Sequence, residues 1–198
     1  MWNCHSQGKI LRVTYNHIFG TLQRFLFVLI SVVILFAPQA FAKEPIRILQ
    51  GLVSKVSDGD TININSGGTK VKIRFYGIDT PETIKINRKT GHINRPGQPY
   101  GDEAWHALEG KIANRYVRVE VMDRDRYGRF VSVVWLENRN INKEMVADGW
   151  AWAYRQYLDR PHASEYINAE EQARGRKFGL WKQSNPQPPW DFRKMLKM

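Results

Sequence analysis

Four acids and two arginines stand at spacings that suit work on a phosphate. Asp58 and Asp60 bracket a glycine in SDGDT (57–61), and Arg74 opens RFYGIDTPET (74–83), where Asp79 and Glu82 flank a Thr-Pro corner. Arg129 closes DRYGR (125–129) behind a tight turn. Carboxylates together with backbone carbonyls are the ligands of a hard divalent cation such as calcium. A phosphodiester in a five-coordinate transition state gains negative charge on its non-bridging oxygens, and a guanidinium offers them paired hydrogen bonds. A glutamate beside such a centre could accept a proton from an attacking water or hold that water in line. Each feature also has a plainer explanation. A lone Asp-Gly-Asp is more often a polar turn. On spacing alone Arg74 and Arg129 read as rim arginines, and Glu82 equally fits a loop acid that caps the next turn.

The element order decides whether these residues meet. In TININ-SGGT-KVKIRF, placing Gly67 and Gly68 at the centre of a two-residue turn pairs Ile62 with Ile73 and Ile64 with Val71 on one face. Thr61 then faces Arg74 and Asn63 faces Lys72 on the other. Position 75 falls opposite 60, so the chain beyond Phe75 returns Asp79 to the first acid pair. A strand over 46–57 precedes the hairpin. Residues 84–99 are rich in Lys, Arg, Asn, Gly and Pro and read as a long basic loop. Asp102 is then expected to cap a helix with Trp105, Leu108 and Ile112 on one stripe.

Alternating Val117, Val119 and Val121 predict a strand over 116–122, with 129–136 as its partner. Helices follow over 142–148, stopped by Gly149, and over 163–177, with acids early and Gly179 after it. QSNPQPP breaks regular structure, and WDFRKMLKM is too short to classify. Five strands with a helix after the third predict an α+β, mainly β protein: a five-stranded OB-fold barrel with three helices.

With 198 residues, 42% of them hydrophobic, the chain suits one domain with one core. Its first 42 residues differ in kind: Lys9, Arg12 and Arg24 are their only charged residues, and FLFVLISVVILF (25–36) runs into Ala40-Phe41-Ala42. The expectation is a secretory signal peptide over 1–42, cleaved after Ala42, and an exported protein, periplasmic or secreted. The alternative is a membrane anchor over 25–42, left uncleaved. Residues 43–182 form the expected domain and 183–198 a Pro-rich tail. The one cysteine, Cys4, lies in the leader, so no disulfide framework follows from export. Without the leader the net charge is +8, the +11 of the chain less those three cations, which suits a polyanion or an anionic surface. His92, His106 and His162 form no zinc-binding spacing, and no P-loop, GxSxG or GxGxxG is present.

Tyr127, Tyr154 and Arg126 could face a nucleotide, since an aromatic ring stacks on a base. Aromatic residues at a barrel mouth are more often packing residues, and WAWAY (150–154) includes expected core members.

Taken in order, SDGDT, IRFYGIDTPET (73–83), PYGDEA (99–104) and DRYGR resemble the staphylococcal nuclease, or thermonuclease, family over roughly 46–182. The resemblance implies an OB-fold barrel with calcium-dependent phosphodiesterase activity on DNA and RNA that leaves 3′-phosphate ends. Carried over by position, Asp60 and Asp79 become carboxylate ligands of Ca2+, the Thr80 carbonyl a backbone ligand, and Asp58 lies near the ion. Glu82 takes the place of the general base or water-orienting residue. Arg74 and Arg129 become the arginines on the scissile phosphate. Tyr127 and Tyr154 line the nucleotide pocket, the latter across a one-residue gap, and Arg126 stands where a substrate-contacting lysine is found. The 84–99 loop is longer than in the staphylococcal enzyme, and the tail has no counterpart there.

The expected protein is thus an exported calcium-dependent endonuclease, a monomer with DNA or RNA as substrate and no obligate protein partner. Two rivals are a non-catalytic OB-fold nucleic-acid-binding module and a basic protein docking on anionic lipid or cell wall. Neither needs the acids, Glu82 and both arginines together.

Overall fold

A two-residue turn sets the register on which the rest of the fold is built. Gly67 and Gly68 take φ of 54° and 78°, a conformation that costs a glycine little and other residues more. The flanking strands β2 (Thr61–Ser66) and β3 (Thr69–Phe75) therefore pair Ile62 with Ile73, Ile64 with Val71 and Thr61 with Arg74, as the alternation predicts. The backbone N–H of Phe75 donates to the Asp60 carbonyl at 2.8 Å, which extends the ladder to the first acids. The structure is a computed structural model and describes residues 43–159 and 162–197. The expected signal peptide lies outside the described residues. No helix among the described residues is long and apolar enough to cross a membrane.

Strand β1 (Arg47–Asp58) pairs with β2 on one side and with β4 (Tyr116–Arg124) on the other. Strand β4 turns back into β5 (Phe130–Leu136), and β5 lies parallel to β3, with Arg74 beside Val131. That parallel seam closes the five strands into the expected mainly β barrel. Ile62, Ile64, Ile73, Val119 and Val134 fill the interior at 0% exposure or nearly so, and each contributes about 1.5–3 kcal/mol by leaving water. At the seam the buried Asn142 amide donates to the Tyr76 and Ser132 carbonyls, both at 3.0 Å, and accepts from the Val134 N–H at 2.9 Å. These three bonds tie the segment that carries Asn142 to the seam, and the Ser132 carbonyl accepts the Tyr76 N–H at 2.8 Å as well.

Helix α1 (Gly101–Ile112) buries Ala104, Leu108 and Ile112 against the barrel, and Trp105 packs at the edge with its indole N–H on the Val56 carbonyl. Asp102 does not cap it. Tyr100 occupies the N-cap with φ of 67° and no side-chain bond, while Asp102 and Glu103 sit in the first turn, where they complement the helix dipole. Helices α2 (Ile141–Ala147) and α3 (His162–Gly175) follow, the first capped by the Asn140 side chain. The 84–99 loop carries a small hairpin of Lys85–Ile86 against Ile93–Arg95. A fourth helix among the described residues, α4 (Pro189–Met195), lies in the Pro-rich tail. Pro189 starts it and Asp191 stands early, the composition of a helix N-terminus. The tail belongs to the same compact unit as the barrel, 41–198.

Candidate active site

The acids gather where β1, the β2–β3 hairpin and the chain after β3 meet. Gly59, between Asp58 and Asp60, lets that turn lie against Thr80: a Cβ there would stand 2.8 Å from the Thr80 hydroxyl and 3.1 Å from the Ala104 Cβ. With the backbones this close, Asp60 Oδ2 accepts from both the N–H and the hydroxyl of Thr80 at 3.1 Å, and Oδ1 accepts from the Thr61 hydroxyl at 3.0 Å. Asp79 is held from the other side. Its segment, Ile78–Asp79, pairs with Trp152–Ala153, which also brings the Tyr154 N–H to the Gly77 carbonyl at 2.8 Å.

Arg74 projects from the end of β3 between these two carboxylates. Its Nη1 donates to Asp60 Oδ1, and its Nη2 donates to Asp79 Oδ1 at 2.5 Å. The acids are 2% and 0% exposed and the arginine side chain 17%, so all three depend on one another for charge compensation. Burial opposes the Arg74 charge, and the two carboxylates outweigh it, leaving the guanidinium more firmly protonated than usual.

Glu82 is nearly buried, and its N–H donates to the Gln98 side-chain carbonyl at 3.1 Å. Burial pushes its carboxyl above the ordinary range against the pull of two further arginines. Arg95, from the 84–99 loop, donates to Glu82 Oε2 at 2.7 Å and to Asp58 Oδ2 at 3.1 Å. Arg193, from α4, donates to Glu82 Oε1 at 2.8 Å and to Asp79 Oδ2 at 2.7 Å. Lys85 completes the set 3.2 Å from Asp58. Four carboxylates thus meet four cations, and the acids face one another in pairs across guanidinium groups. Among the described residues, no three acid or imidazole side chains converge as a ready-made ion site. The donors themselves are hard oxygens that already surround positive charge, and such a set fits a calcium ion.

Arg129 stands apart from this cluster. Its backbone and side chain bind the Asp125 carboxylate, with Nε donating at 2.6 Å, and Tyr127 lies under its guanidinium at 5.7 Å. Arg129 immediately precedes β5, whose Val131 neighbours Arg74 across the seam, so both arginines lie toward the same end of the barrel. Arg126 also lies over the Tyr127 ring, at 4.9 Å, and Tyr127 is 70% exposed at the hairpin tip. Tyr154 lies nearer the acids: burial and the Asp79 carboxylate push its phenol above its usual range. It borders a cavity of about 400 Å³ walled by Trp152, Arg155, Glu170, Arg174 and Trp190. Trp190 stacks on Tyr154 with centroids 4.9 Å apart and planes 7° from parallel.

The sequence reading missed Lys85, Arg95, Arg193 and Trp190. The basic composition of 84–99 was the available sign for the first two. For the others, the only sign was a proline followed by an early acid and late basic residues within WDFRKMLKM.

Residues 72–183, more than half of the chain, match the family model described as staphylococcal nuclease homologue. An uncharacterized endonuclease of Haemophilus influenzae is 35% identical over 74% of this chain and 74% of its own length. The micrococcal nuclease of Shigella flexneri is 32% identical over 75% of this chain and 82% of its own, and protein ParB of Escherichia coli is 35% identical over 74% and 80%. The chain therefore belongs to the staphylococcal nuclease family and is a nuclease, a hydrolase of phosphodiester bonds in nucleic acid.

Proposed function

We propose that this nuclease is an exported, monomeric, calcium-dependent endonuclease that cuts DNA or RNA and leaves 3′-phosphate ends. The observation that carries the proposal is the forked contact of Arg74 with the buried Asp60 and Asp79, which holds two candidate ligands of one ion together. Asp60 and Asp79 would hold the ion, with the Thr80 carbonyl and Asp58 beside them. Bound calcium supplies positive charge that neutralises the phosphate and favours attack on phosphorus.

The chain's own residues do the rest. Glu82, raised by burial, accepts a proton from the attacking water. The water oxygen bonds to phosphorus as the bond to the 5′ oxygen breaks, and that oxygen takes up a proton from solvent as it leaves. The phosphate stays on the 3′ side. Arg74 and Arg129 donate to the non-bridging oxygens, where negative charge builds in the transition state. Tyr154 offers a ring to a neighbouring base, and the exposed Arg126 and Tyr127 contact the strand farther along. The apolar leader over 25–36 and Ala40-Phe41-Ala42 support export.

DNA supplied with calcium, and then with a chelator, tests the proposal. Cleavage with calcium, loss with chelator and 3′-phosphate termini are the expected result. Intact DNA in calcium, or undiminished cutting in chelator, would refute it. N-terminal sequencing of the protein recovered outside the cytoplasm is expected to begin at Lys43, and light scattering to give one chain.

A further inference from the structure

Arg193 has no part in the hydrolysis proposed above, yet it grips two of the carboxylates on which that chemistry turns. Its guanidinium meets three carboxylate oxygens: Asp79 Oδ2 at 2.7 Å, Asp79 Oδ1 at 3.2 Å and Glu82 Oε1 at 2.8 Å. One positive group among oxygens of two buried acids is placed as a bound cation would be. Three residues earlier on α4, Trp190 lies parallel on Tyr154 in the arrangement of a base on an aromatic platform. Residues three apart on a helix share a face, so one short element makes both contacts together.

We propose that the C-terminal segment 183–197 is an intramolecular cap that holds the cation and base positions of its own active site and must lift before metal and nucleic acid bind. The inference rests on the metal-dependent nuclease function proposed above. The way the cap is built favours release. Helix α4 has seven residues, well below the ~12–15 at which an isolated helix becomes even marginally stable, so its order depends on the surface it covers. The connecting stretch that includes Gln183, Asn185 and Gln187 borders a cavity of about 210 Å³. Among the described residues its polar tie to the 84–99 loop is the bond from Gln98 Nε2 to the Gln187 carbonyl at 3.2 Å, and beyond it the buried Pro189 and the edge of Trp190 on Trp152 seat the helix by apolar contact. Arg193 is 31% exposed against 17% for Arg74, so solvent already reaches the outer cation.

Charge gives the switch its direction. With Arg193 in place, the four carboxylates are balanced by Arg74, Lys85, Arg95 and Arg193; without it the cluster carries a net negative charge that a divalent cation relieves. A polyanion at the cleft offers Arg193 and Lys194 other partners and so draws the cap outward. Because calcium and nucleic acid both require the lifted state, each raises the affinity of the other. The enzyme is latent until both are present.

Calcium titration of the full chain by calorimetry, with tryptophan fluorescence in parallel, tests the cap. If it is closed about 90% of the time, Arg193→Gln tightens calcium binding about tenfold. Trp190→Ala, which touches no acid, also tightens it, and the fluorescence change that calcium produces in the unaltered protein is lost in this variant. Equal calcium affinity in all three proteins overturns the cap and leaves the nuclease mechanism standing. Tightening by Arg193→Gln alone also overturns it, since that is local charge and not a lifting helix. No calcium binding in any of the three refutes the metal-dependent function and the cap with it.

Discussion

The floor of the active site and its cover are made of the same groups, carboxylates paired with guanidiniums, but they are built differently. On the floor, Arg74, Asp60 and Asp79 come from a hairpin and the turn just after it, and regular strand pairing and buried hydrogen bonds hold them. The cover consists of Arg95 and Arg193, from a long loop and a terminal helix, each about a third exposed. A buried pair is costly to break because each partner leaves the other charged and dry. A pair within reach of water is worth little by itself and can exchange one partner for another. The floor is therefore architecture, and the cover is free to act as an occupant.

The contrast breaks most visibly at Arg74. Replacing it with alanine strands the buried Asp60 without its cation and leaves Asp79 to Arg193, and the expected loss is about 3–5 kcal/mol of stability with activity abolished. Thermal unfolding measures the first. An unshifted melting temperature would mean that the floor is no more structural than the cover. Arg129→Ala comes next. Among the described acids its guanidinium is tied to Asp125 alone, so the fold should persist while kcat falls about 10²–10³-fold. Full turnover in a folded variant would return Arg129 to the rim.

Arg95→Gln is a smaller perturbation and acts on the cover alone. Stability should change by less than about 1 kcal/mol, and calcium should bind more tightly because Asp58 and Glu82 lose a competing cation. Weaker calcium binding would place Arg95 among the groups that organise the site.

The least effect is expected far from the cleft, at Glu144, where it calibrates an ordinary surface pair. Hydrogen bonds from Arg139, and then from Lys111, hold its carboxyl below the ordinary glutamate range. The native value is lower than the unfolded one, so the stability it contributes is full above the unfolded value and is lost as pH falls through the native one. Glu144→Gln should accordingly melt slightly below the parent near neutrality, and the two should converge in strong acid. A difference that grows with acidity would reverse the sign.

Floor and cover also differ in how far they could be read from sequence. The register of β2 and β3 follows from an alternation of isoleucines about two glycines, which is local information, and it carries Asp60, Arg74 and Asp79 with it. Tyr154 is brought in by a two-residue bridge, Trp152 against Asp79, that leaves no periodic trace. Arg193 reaches Asp79 across 114 residues of chain, from a helix too short to show an apolar stripe. The missing cap at α1 has a similar origin: Asp102 has the right chemistry for an N-cap, but Tyr100 in a left-handed conformation starts the helix two residues earlier than an Asp102 cap allows.

The parallel seam between β3 and β5 has a consequence for when the enzyme becomes active. It joins Ile73 to Phe130, residues far apart along the chain, and such long-range closures are slow to form. Arg74 and the strand that follows Arg129 become neighbours only when this seam forms. Until then the chain carries the reactive groups but no cleft to hold a phosphodiester among them.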